Sequence, residues 1–266
     1  MPTAILRFYT KEGFVIAADG FARDRETGET REDAQKLFLV NAPSRKFVYG
    51  LTGTGRINDP TESYVAIDLL NVCAKGVVAL ADKKPTDLLV YAKKIAGQLQ
   101  RELENTKNAG KISRYPPFPD PEEPTQRLVA KLFFWGYYNG TASRAVVKIA
   151  HRDESFLPLQ SDGISVDPWP EISGSGLFSL LLRETPDPRL AQFWIPAMAK
   201  FVPGVSTGTF TVPEARDIAV NYIRACESTV GREIDPDLAP GIGGRILIAT
   251  ITPTDGAQWM AGYEPT

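Results

Sequence analysis

Apolar residues at the start of the chain fall into short runs that are separated by turn-rich or charged segments. Four of these runs have the length and composition of strands, and they read AILRFY, GFVIAA, KLFLV and KFVYGLTG. The segments between them, such as RDRETGETRED, are typical of turns and surface loops. The pattern predicts an antiparallel meander at the start of the chain.

The apolar spacing becomes helical after GTGRINDP. From about Thr61 to Leu80, Asp68, Asn71 and Lys75 form a narrow polar stripe on an otherwise apolar pattern, which predicts a helix covered on most sides. The segment PTDLLVYAKKIAGQLQRELEN places apolar residues three and four positions apart, as in a one-sided amphipathic helix. These residues are Leu88, Tyr91, Ala92, Ile95, Leu99 and Leu103.

Strand patterns return in RLVAKLFFWGYY and RAVVKIAH, which predict a hairpin around Asn139 and Gly140. The segment EISGSGLFSLLLRE then passes from extended chain through a serine flanked by glycines into a helical pattern. Thr211 and Glu214 form a capping box at the start of a further helix. The segments GIGGRILIATITP and AQWMAGY predict two closing strands.

The order of strands, two helices, strands, helices and strands predicts an α+β fold. The strands are almost continuously apolar, which is expected when sheets are covered on both faces. We therefore expect one domain over residues 1–266, a four-layer αββα sandwich of two antiparallel sheets covered by helices. Five prolines between about 107 and 127 exclude a helix or a central strand there and predict a surface insertion.

Charge and composition argue against nucleic-acid binding, membrane association and cysteine chemistry. The formal net charge of −2 gives no support for binding nucleic acid or an anionic membrane surface. No apolar stretch approaches the roughly 20 residues of a membrane helix, and the start of the chain lacks signal-peptide features, so we expect a cytoplasmic protein. Cys73 and Cys226 both lie in helical patterns, where buried thiols without chemistry are expected.

The sequence contains a single histidine, His151. A zinc site of histidine and cysteine ligands is therefore not expected, and no Gly-x-Ser-x-Gly motif accompanies His151 as in a serine triad. We expect no cofactor and no metal, although a carboxylate-only magnesium or calcium site is left open. If the protein is a hydrolase, its general base is expected to be a group other than histidine.

Thr3 offers such a base if it becomes the N-terminal residue. The α-amine of a terminal threonine has a pKa of about 7.7 to 8.0 and can accept the proton of its own hydroxyl. A nearby lysine can hold that amine neutral, and backbone N–H groups of a glycine turn can bind an oxyanion. Lys36 is a candidate for the lysine, and Asp19, at the end of an apolar strand, is a candidate partner for its charge. Taken singly, Asp19 with Gly20 is better explained as a turn and Lys36 as a solvated strand end.

Taken in order, these residues resemble the proteasome-type N-terminal nucleophile hydrolases, which include proteasome β subunits and the bacterial proteasome-like peptidase that works with an ATPase ring. The resemblance spans nearly the whole chain, and its first fifty-five residues are the specific part. It implies a nucleophile at Thr3, a signature aspartate at Asp19 in GFVIAADG and a catalytic lysine at Lys36. It further implies an oxyanion donor at Gly53 in GLTGTG and a supporting serine at Ser175 in GSG. The family's Gly-Gly pair matches Gly243 and Gly244.

The chain also departs from that family. Where catalytic members have an aspartate and a serine that orient the threonine amine, this chain has Ala239 and Ile242, and Asp237 could substitute only if the loop shifts. Met1 is expected to be removed because Pro2 is small, which would leave Pro2 as the first residue instead of Thr3.

Three functions follow as hypotheses. The first is a threonine-type peptidase that acts once Pro2 is removed, the second a catalytically silent ring subunit with a structural or regulatory role, and the third an amidase for small substrates. The resemblance also implies self-association into rings, which can be stacked, service by an ATPase unfoldase, and peptide or unfolded-protein substrates.

Overall fold

The computed structural model describes residues 3–23, 28–58, 65–81, 83, 85–111, 125–152, 155–163, 170–182, 187–201 and 210–266. The chain forms two compact units. The first unit comprises Met1–Val48, Trp135–Thr141 and Asp167–Thr266, and the second comprises Tyr49–Phe134 and Ala142–Val166.

The described part of the chain is built from strands, α-helices and short 3-10 helices. The strands are β1 (Ile5–Tyr9), β2 (Phe14–Asp19), β3 (Ala22–Arg23), β4 (Thr30–Arg31), β5 (Leu37–Ala42), β6 (Arg45–Gly53), β7 (Arg56–Asn58), β8 (Val65–Asp68), β9 (Arg127–Tyr138), β10 (Thr141–Arg152), β11 (Ser155–Phe156), β12 (Gln160–Asp162), β13 (Glu171–Ser173), β14 (Ile246–Thr252) and β15 (Gly256–Trp259). The α-helices are α1 (Leu69–Ala79), α2 (Leu88–Asn108), α3 (Leu177–Leu181), α4 (Val212–Glu227) and α5 (Thr229–Ile234), and the 3-10 helices are Pro188–Phe193, Pro196–Lys200 and Ala239–Gly241.

The first unit is organised on a five-stranded antiparallel sheet with the strand order β13-β1-β2-β14-β15. β2 is the central strand, and all six of its residues are buried. Its register pairs Ile16 with Arg7 of β1 and with Ala249 of β14. A central strand that is covered on both faces needs apolar side chains at successive positions, which explains the unbroken FVIAA of the sequence.

Helices α3, α4 and α5 pack with this sheet around one apolar cluster. Alternate residues of the strands enter the cluster, as Leu6 and Phe8 of β1 do, because successive side chains of a strand point to opposite faces. α4 supplies a full stripe of buried residues. These are Ala215, Ile218, Ala219, Tyr222, Ile223, Ala225 and Cys226.

The predicted capping box at the start of α4 is confirmed. The Thr211 hydroxyl accepts from the Glu214 N–H at 3.4 Å, and the Glu214 carboxylate accepts from the Thr211 N–H at 2.9 Å. The two reciprocal bonds satisfy N–H groups that the first turn of a helix otherwise leaves without partners.

A second sheet of six strands has the order β11-β10-β9-β6-β5, with β12 paired to β10. The hairpin between β9 and β10 turns at Asn139 and Gly140, whose φ values of 50° and 78° fit the turn predicted from the sequence. The predicted opening meander is wrong, however. β2 pairs with β1 and β14, whereas β5 and β6 pair with each other in the second sheet, because both edges of β2 are already occupied.

In the second unit, helices α1 and α2 pack together at Gly76, where an added Cβ would lie 3.2 Å from Gln98 Oε1 and 3.5 Å from a side-chain carbon of Ile95. The amphipathic pattern of α2 is confirmed. The preceding helix begins later than predicted, at Leu69, because Val65–Asp68 forms β8 and pairs with β7. The Asp68 side chain then caps α1 by accepting from the Asn71 N–H at 3.0 Å.

The fold is therefore a mixture of antiparallel sheets and helices, as the order of the elements in the sequence predicted. Most of the predicted proline-rich insertion, residues 112–124, lies outside the described residues, as does Pro2. In the described parts of the chain, no helix is both long and apolar enough to cross a membrane.

Candidate active site

Asp19 is the last residue of the central strand β2, and its side chain is fully buried. One carboxylate oxygen accepts from the Ala4 N–H at 2.8 Å. The other accepts from the N–H groups of Phe21 at 3.2 Å and Gly243 at 3.3 Å. Three backbone donors therefore fix the orientation of this carboxylate, which fits the rule that buried charges are hydrogen-bonded.

Lys36 supplies the cation that pairs with Asp19. Its Nζ lies 2.8 Å and 2.9 Å from the two carboxylate oxygens of Asp19, and the lysine is only 8% exposed. Nζ also donates to Oγ1 of Thr3 across 3.4 Å. The structure thus brings together three of the residues predicted from the sequence: Thr3, Asp19 and Lys36.

The segment that carries Lys36 is held by backbone bonds to both sides of the site. The Arg245 N–H donates to the Glu32 carbonyl at 2.6 Å, and the Ala34 N–H donates to the Gly20 carbonyl at 2.8 Å. A Cβ on Gly20 would lie 2.5 Å from the Arg245 carbonyl oxygen and 2.8 Å from that of Glu32. The glycine that follows Asp19 in the sequence is therefore required by close packing of the backbone.

Burial is the main influence on the ionisation of the pair. It raises the pKa of the Asp19 carboxyl and lowers the pKa of the Lys36 ammonium, while the charge of each partner acts in the opposite direction on the other. A lysine ammonium beside a hydroxyl can stabilise an alkoxide that forms there. Thr3 is also buried, with 7% of its surface exposed.

Ser175 follows β13 by two residues, and β13 pairs with β1. β1 and β13 pair Ile5 with Ser173, so Ser175 and Thr3 each lie two residues beyond that pair. The close approach continues beyond the paired residues, because a Cβ on Gly174 would lie 3.3 Å from Cα of Ala4. Ser175 is 4% exposed.

Asp235 is a residue of this region that the sequence analysis missed. Its Oδ2 accepts from the Ser175 hydroxyl at 2.5 Å and from the Gly176 N–H at 3.2 Å, while its Oδ1 accepts from the Leu238 N–H at 3.1 Å. Asp237, which the sequence offered as a substitute for the missing aspartate, is exposed. No sequence signal identified Asp235, because the contact depends on how the chain turns after α5.

Ala239 and Ile242 stand where the resemblance calls for an aspartate and a serine. Both are buried in the apolar cluster of the first unit, at 0% and 1% exposure. They contribute packing there and supply no polar atom to Thr3.

The Gly243–Gly244 turn contacts Asp19, because the Gly243 N–H donates to its carboxylate at 3.3 Å. Its Gly244 N–H donates in turn to Glu227 at 3.2 Å, at the end of α4. Gly244 has a φ of 69°, and its Cβ would lie 2.7 Å from the Glu32 carbonyl oxygen. This glycine is therefore required both by its left-handed backbone conformation and by the passing segment that carries Lys36.

Gly53, the predicted oxyanion donor, lies in the second unit at the end of β6. Its φ is 100°, and its Cβ would lie 2.7 Å from the Val129 carbonyl oxygen, so a glycine is required there. The next residue, Thr54, donates its N–H to the same carbonyl at 3.0 Å.

Both cysteines are buried free thiols. Burial raises the pKa of each to about 12. Cys226 also has Tyr222 and Ser175 as side-chain hydrogen-bond partners. Among the described residues, no group of three or more histidine, cysteine, aspartate or glutamate side chains is arranged to hold a metal ion.

Comparisons with known proteins give a structural match only. No family model matches the chain, and no curated protein matches it by sequence. Among solved structures, the helical assembly of the Anbu complex from Pseudomonas aeruginosa is 10% identical with a TM-score of 0.53, over 98% of this chain and 88% of that one. Anbu (ancestral beta-subunit) from Yersinia bercovieri is 8% identical with a TM-score of 0.52 over the same shares. An Anbu (Gly-1) mutant from Hyphomicrobium sp. strain MC1 is 13% identical with a TM-score of 0.51, over 96% of this chain and 84% of that one.

These matches correct the family assignment made from the sequence. The solved structures named above are Anbu proteins, one of them described as an ancestral beta-subunit, whereas the sequence was taken to resemble proteasome β subunits and an ATPase-served bacterial peptidase. At 8–13% identity the likeness establishes a similar fold and leaves activity to be argued from the site.

Proposed function

We propose that this chain is a threonine-type peptide hydrolase subunit with an Anbu-like fold, in which Thr3 is the nucleophile once it becomes the N-terminal residue. The observation that carries the proposal is the position of Lys36 Nζ, which contacts Thr3 Oγ1 and both oxygens of buried Asp19. Burying a lysine ammonium costs desolvation free energy, and this lysine lies beside the hydroxyl of Thr3. The proposed fold is a four-layer αββα sandwich within one domain.

The proposed reaction runs in two steps. Thr3 Oγ attacks the carbonyl carbon of a peptide bond, its proton passes to the Thr3 α-amine, and Lys36 stabilises the charge on the attacking oxygen. The α-amine then gives the proton to the leaving nitrogen as the C–N bond breaks, which leaves an ester on Thr3. Water hydrolyses the ester with the same amine as base.

Asp19 and Ser175 have supporting roles in this proposal. Asp19 balances the charge of Lys36 and fixes its Nζ. The role of Ser175 in orienting the α-amine of Thr3 is a prediction that rests on the resemblance. The N–H of Gly53 as oxyanion donor is a prediction that rests on the sequence.

The second candidate is a catalytically silent subunit with a structural or regulatory role. It is favoured by the apolar surroundings of Ala239 and Ile242, which remove the two polar side chains that the resemblance implies. Self-association is common to both candidates, and the helical assembly reported for the Pseudomonas aeruginosa Anbu complex supports it. Association into rings and service by an ATPase unfoldase stay predictions.

The test compares three purified proteins made as fusions that are cleaved exactly before the desired first residue. One begins at Pro2, one at Thr3, and one begins at the same point with Thr3→Ala. We expect hydrolysis of fluorogenic peptide amides only from the chain that begins at Thr3, because only that chain has a free amine beside the hydroxyl. An inactive but assembled chain beginning at Thr3 would support the silent subunit, and turnover of small amides alone would support the amidase.

A further inference from the structure

Glu227 contacts the same turn that binds Asp19. Its Oε1 accepts from the Gly244 N–H at 3.2 Å. The preceding N–H, that of Gly243, donates to the Asp19 carboxylate at 3.3 Å, and the Gly243 carbonyl accepts from the Gly20 N–H at 3.1 Å. Two adjacent N–H groups of one turn thus bind two different carboxylates, and one of these carboxylates belongs to the proposed site.

The turn is made of two residues with unusual backbone freedom. Gly243 and Gly244 have φ values of 149° and 69°, in the region that glycine adopts more readily than other residues. A glycine pair loses much conformational entropy when it is fixed, so contacts from outside the turn are needed to hold it. β2 supplies such contacts at Gly243, and Glu227 supplies the acceptor for the N–H of Gly244.

The Glu227 side chain is itself held in place. It lies on the last residue of α4, and its Oε2 accepts from the guanidinium of Arg224 one turn earlier in the helix. A Cβ on Gly243 would lie 3.3 Å from Cγ of Glu227, so the stem of the side chain packs against the turn. The side chain is nevertheless 31% exposed, which means that a substitution there removes little buried apolar surface.

We infer that Glu227 is a positioning residue of the proposed site: it holds the Gly243–Gly244 turn, and the turn holds the Asp19 carboxylate against Lys36. The inference deepens the proposed function and rests on it only for the effect on hydrolysis. Burial raises the pKa of the Asp19 carboxyl, and the Gly243 N–H is one of the groups that act in the opposite direction. A displaced turn would therefore make Asp19 easier to protonate, and a protonated Asp19 does not balance the charge of Lys36.

The experiment separates the reach of the Glu227 side chain from its charge. Glu227→Gln keeps an acceptor oxygen at the same reach without the charge, whereas Glu227→Asp keeps the charge on a side chain one methylene shorter. Glu227→Ala removes both. Arg224→Ala is the matched control, because it removes only the ion pair of Glu227, whose two side chains are 52% and 31% exposed and which is expected to contribute little stability. All variants are made in the chain that begins at Thr3.

The first readout is the pKa of the Asp19 carboxyl, followed by ¹³C NMR in protein labelled at its aspartate carboxyl carbons. We expect Glu227→Ala and Glu227→Asp to raise this pKa, because Asp19 then loses the Gly243 N–H. Glu227→Gln and Arg224→Ala should leave it close to that of the unsubstituted chain. An effect of charge through space would have the opposite sign, since removal of a nearby anion lowers the pKa of a carboxyl.

The second readout is hydrolysis. We expect Glu227→Ala to lower kcat by about tenfold with a smaller change in KM, because the variant disturbs the site and not the substrate contacts. The acid limb of its pH profile should move to higher pH, since the proposed mechanism uses ionised Asp19. Glu227→Gln should retain most of the activity, whereas Glu227→Asp should behave like Glu227→Ala.

A purely structural support would give a different pattern. In that case Glu227→Ala would lower the unfolding temperature while the pKa of Asp19 stayed unchanged, and the inference would be wrong. It would also be wrong if Glu227→Gln and Glu227→Asp had equal effects, or if Arg224→Ala matched Glu227→Ala.

Two further outcomes are kept apart by the design. If Glu227→Ala does not fold, Glu227→Asp takes its place, and an unchanged pKa of Asp19 in that variant contradicts the inference. Failure of the proposed function appears separately, as absence of hydrolysis from the unsubstituted chain, because the pKa of Asp19 is measured without a substrate.

Discussion

Lys36 Nζ contacts both carboxylate oxygens of Asp19 at 2.8 Å and 2.9 Å, at a position where neither side chain is more than 9% exposed. An ion pair taken out of water gains little net stability, but removing one partner leaves the other charge buried without compensation. Loss of either charge alone is therefore expected to destabilise the fold, apart from any effect on the proposed site.

Asp19→Asn should strongly destabilise the fold. The variant leaves the Lys36 ammonium without its counter-charge, and we expect the free energy of unfolding to fall by about 3 to 5 kcal/mol in urea titrations at pH 7. Asp33→Asn is the matched control, because its side chain is 55% exposed and a change within about 0.5 kcal/mol is expected there.

The double variant Asp19→Asn with Lys36→Met separates charge from packing. It should lose less stability than the sum of the two single variants, since it removes both charges together. Additive losses, or Asp19→Asn with the stability of the unsubstituted protein, would contradict a buried ion pair at this position.

Gly244→Ala should destabilise the protein by more than the strain of a left-handed backbone alone, because the new Cβ would also contact Glu32. Gly244 and Gly262 have similar φ values of 69° and 83°, but a Cβ on Gly244 would meet Glu32 at 2.7 Å, whereas a Cβ on Gly262 would meet nothing within 4 Å. Gly262→Ala thus measures the cost of a left-handed alanine, which is about 1 to 2 kcal/mol. We expect Gly244→Ala to cost at least about 1 kcal/mol more in the same unfolding assay. Equal losses of unfolding free energy in the two variants would contradict this expectation, because the backbone at Glu32 would then move aside at little cost.

Cys73 and Cys226 should resist alkylation in the native protein. Burial raises the pKa of both thiols to about 12, so almost no thiolate is present at pH 8. We expect iodoacetamide at pH 8 to modify neither cysteine in the folded protein and both in urea, as read by mass. Rapid modification of a folded chain would contradict the burial of that thiol.

The raised pKa values of the two thiols predict how the free energy of unfolding changes at alkaline pH. A thiol whose pKa is raised in the folded state stabilises the fold fully below its unfolded pKa near 9.0, and this contribution is lost as the pH rises towards 12. Unfolding free energies measured between pH 8 and about 11 should therefore fall less steeply in Cys226→Ala than in the unsubstituted protein. An identical slope would contradict the raised pKa of Cys226.

The local patterns of the sequence predicted much of the secondary structure, because they are set by neighbouring residues. The capping box at Thr211 and the Asn139–Gly140 turn act over a few positions, and both appear in the structure. Strand pairing depends on distant segments, so the pairing of β2 with β14 could not be read from the opening residues. For the same reason Val65–Asp68, apolar enough for either element, was predicted as helix and forms a strand with β7.

Part of the candidate site was predictable for a different reason. Thr3, Asp19 and Lys36 were selected together because their order resembles a family motif, and the structure brings them into contact. Asp235 and Glu227 act on loops through bonds to Ser175 and Gly244. Many acidic residues have comparable sequence surroundings, so only the folded loops distinguish these two.

Trapping of Thr3 by a peptide epoxyketone tests most directly whether Thr3 is the nucleophile, because this reagent bonds to both the hydroxyl and the α-amine of one terminal threonine. The chain that begins at Thr3 is incubated with the reagent and analysed by intact mass and peptide mapping. We expect one adduct per chain, located on the peptide that begins at Thr3 and absent from the Thr3→Ala variant. A folded chain that forms no adduct, or an adduct that persists in Thr3→Ala, would contradict it.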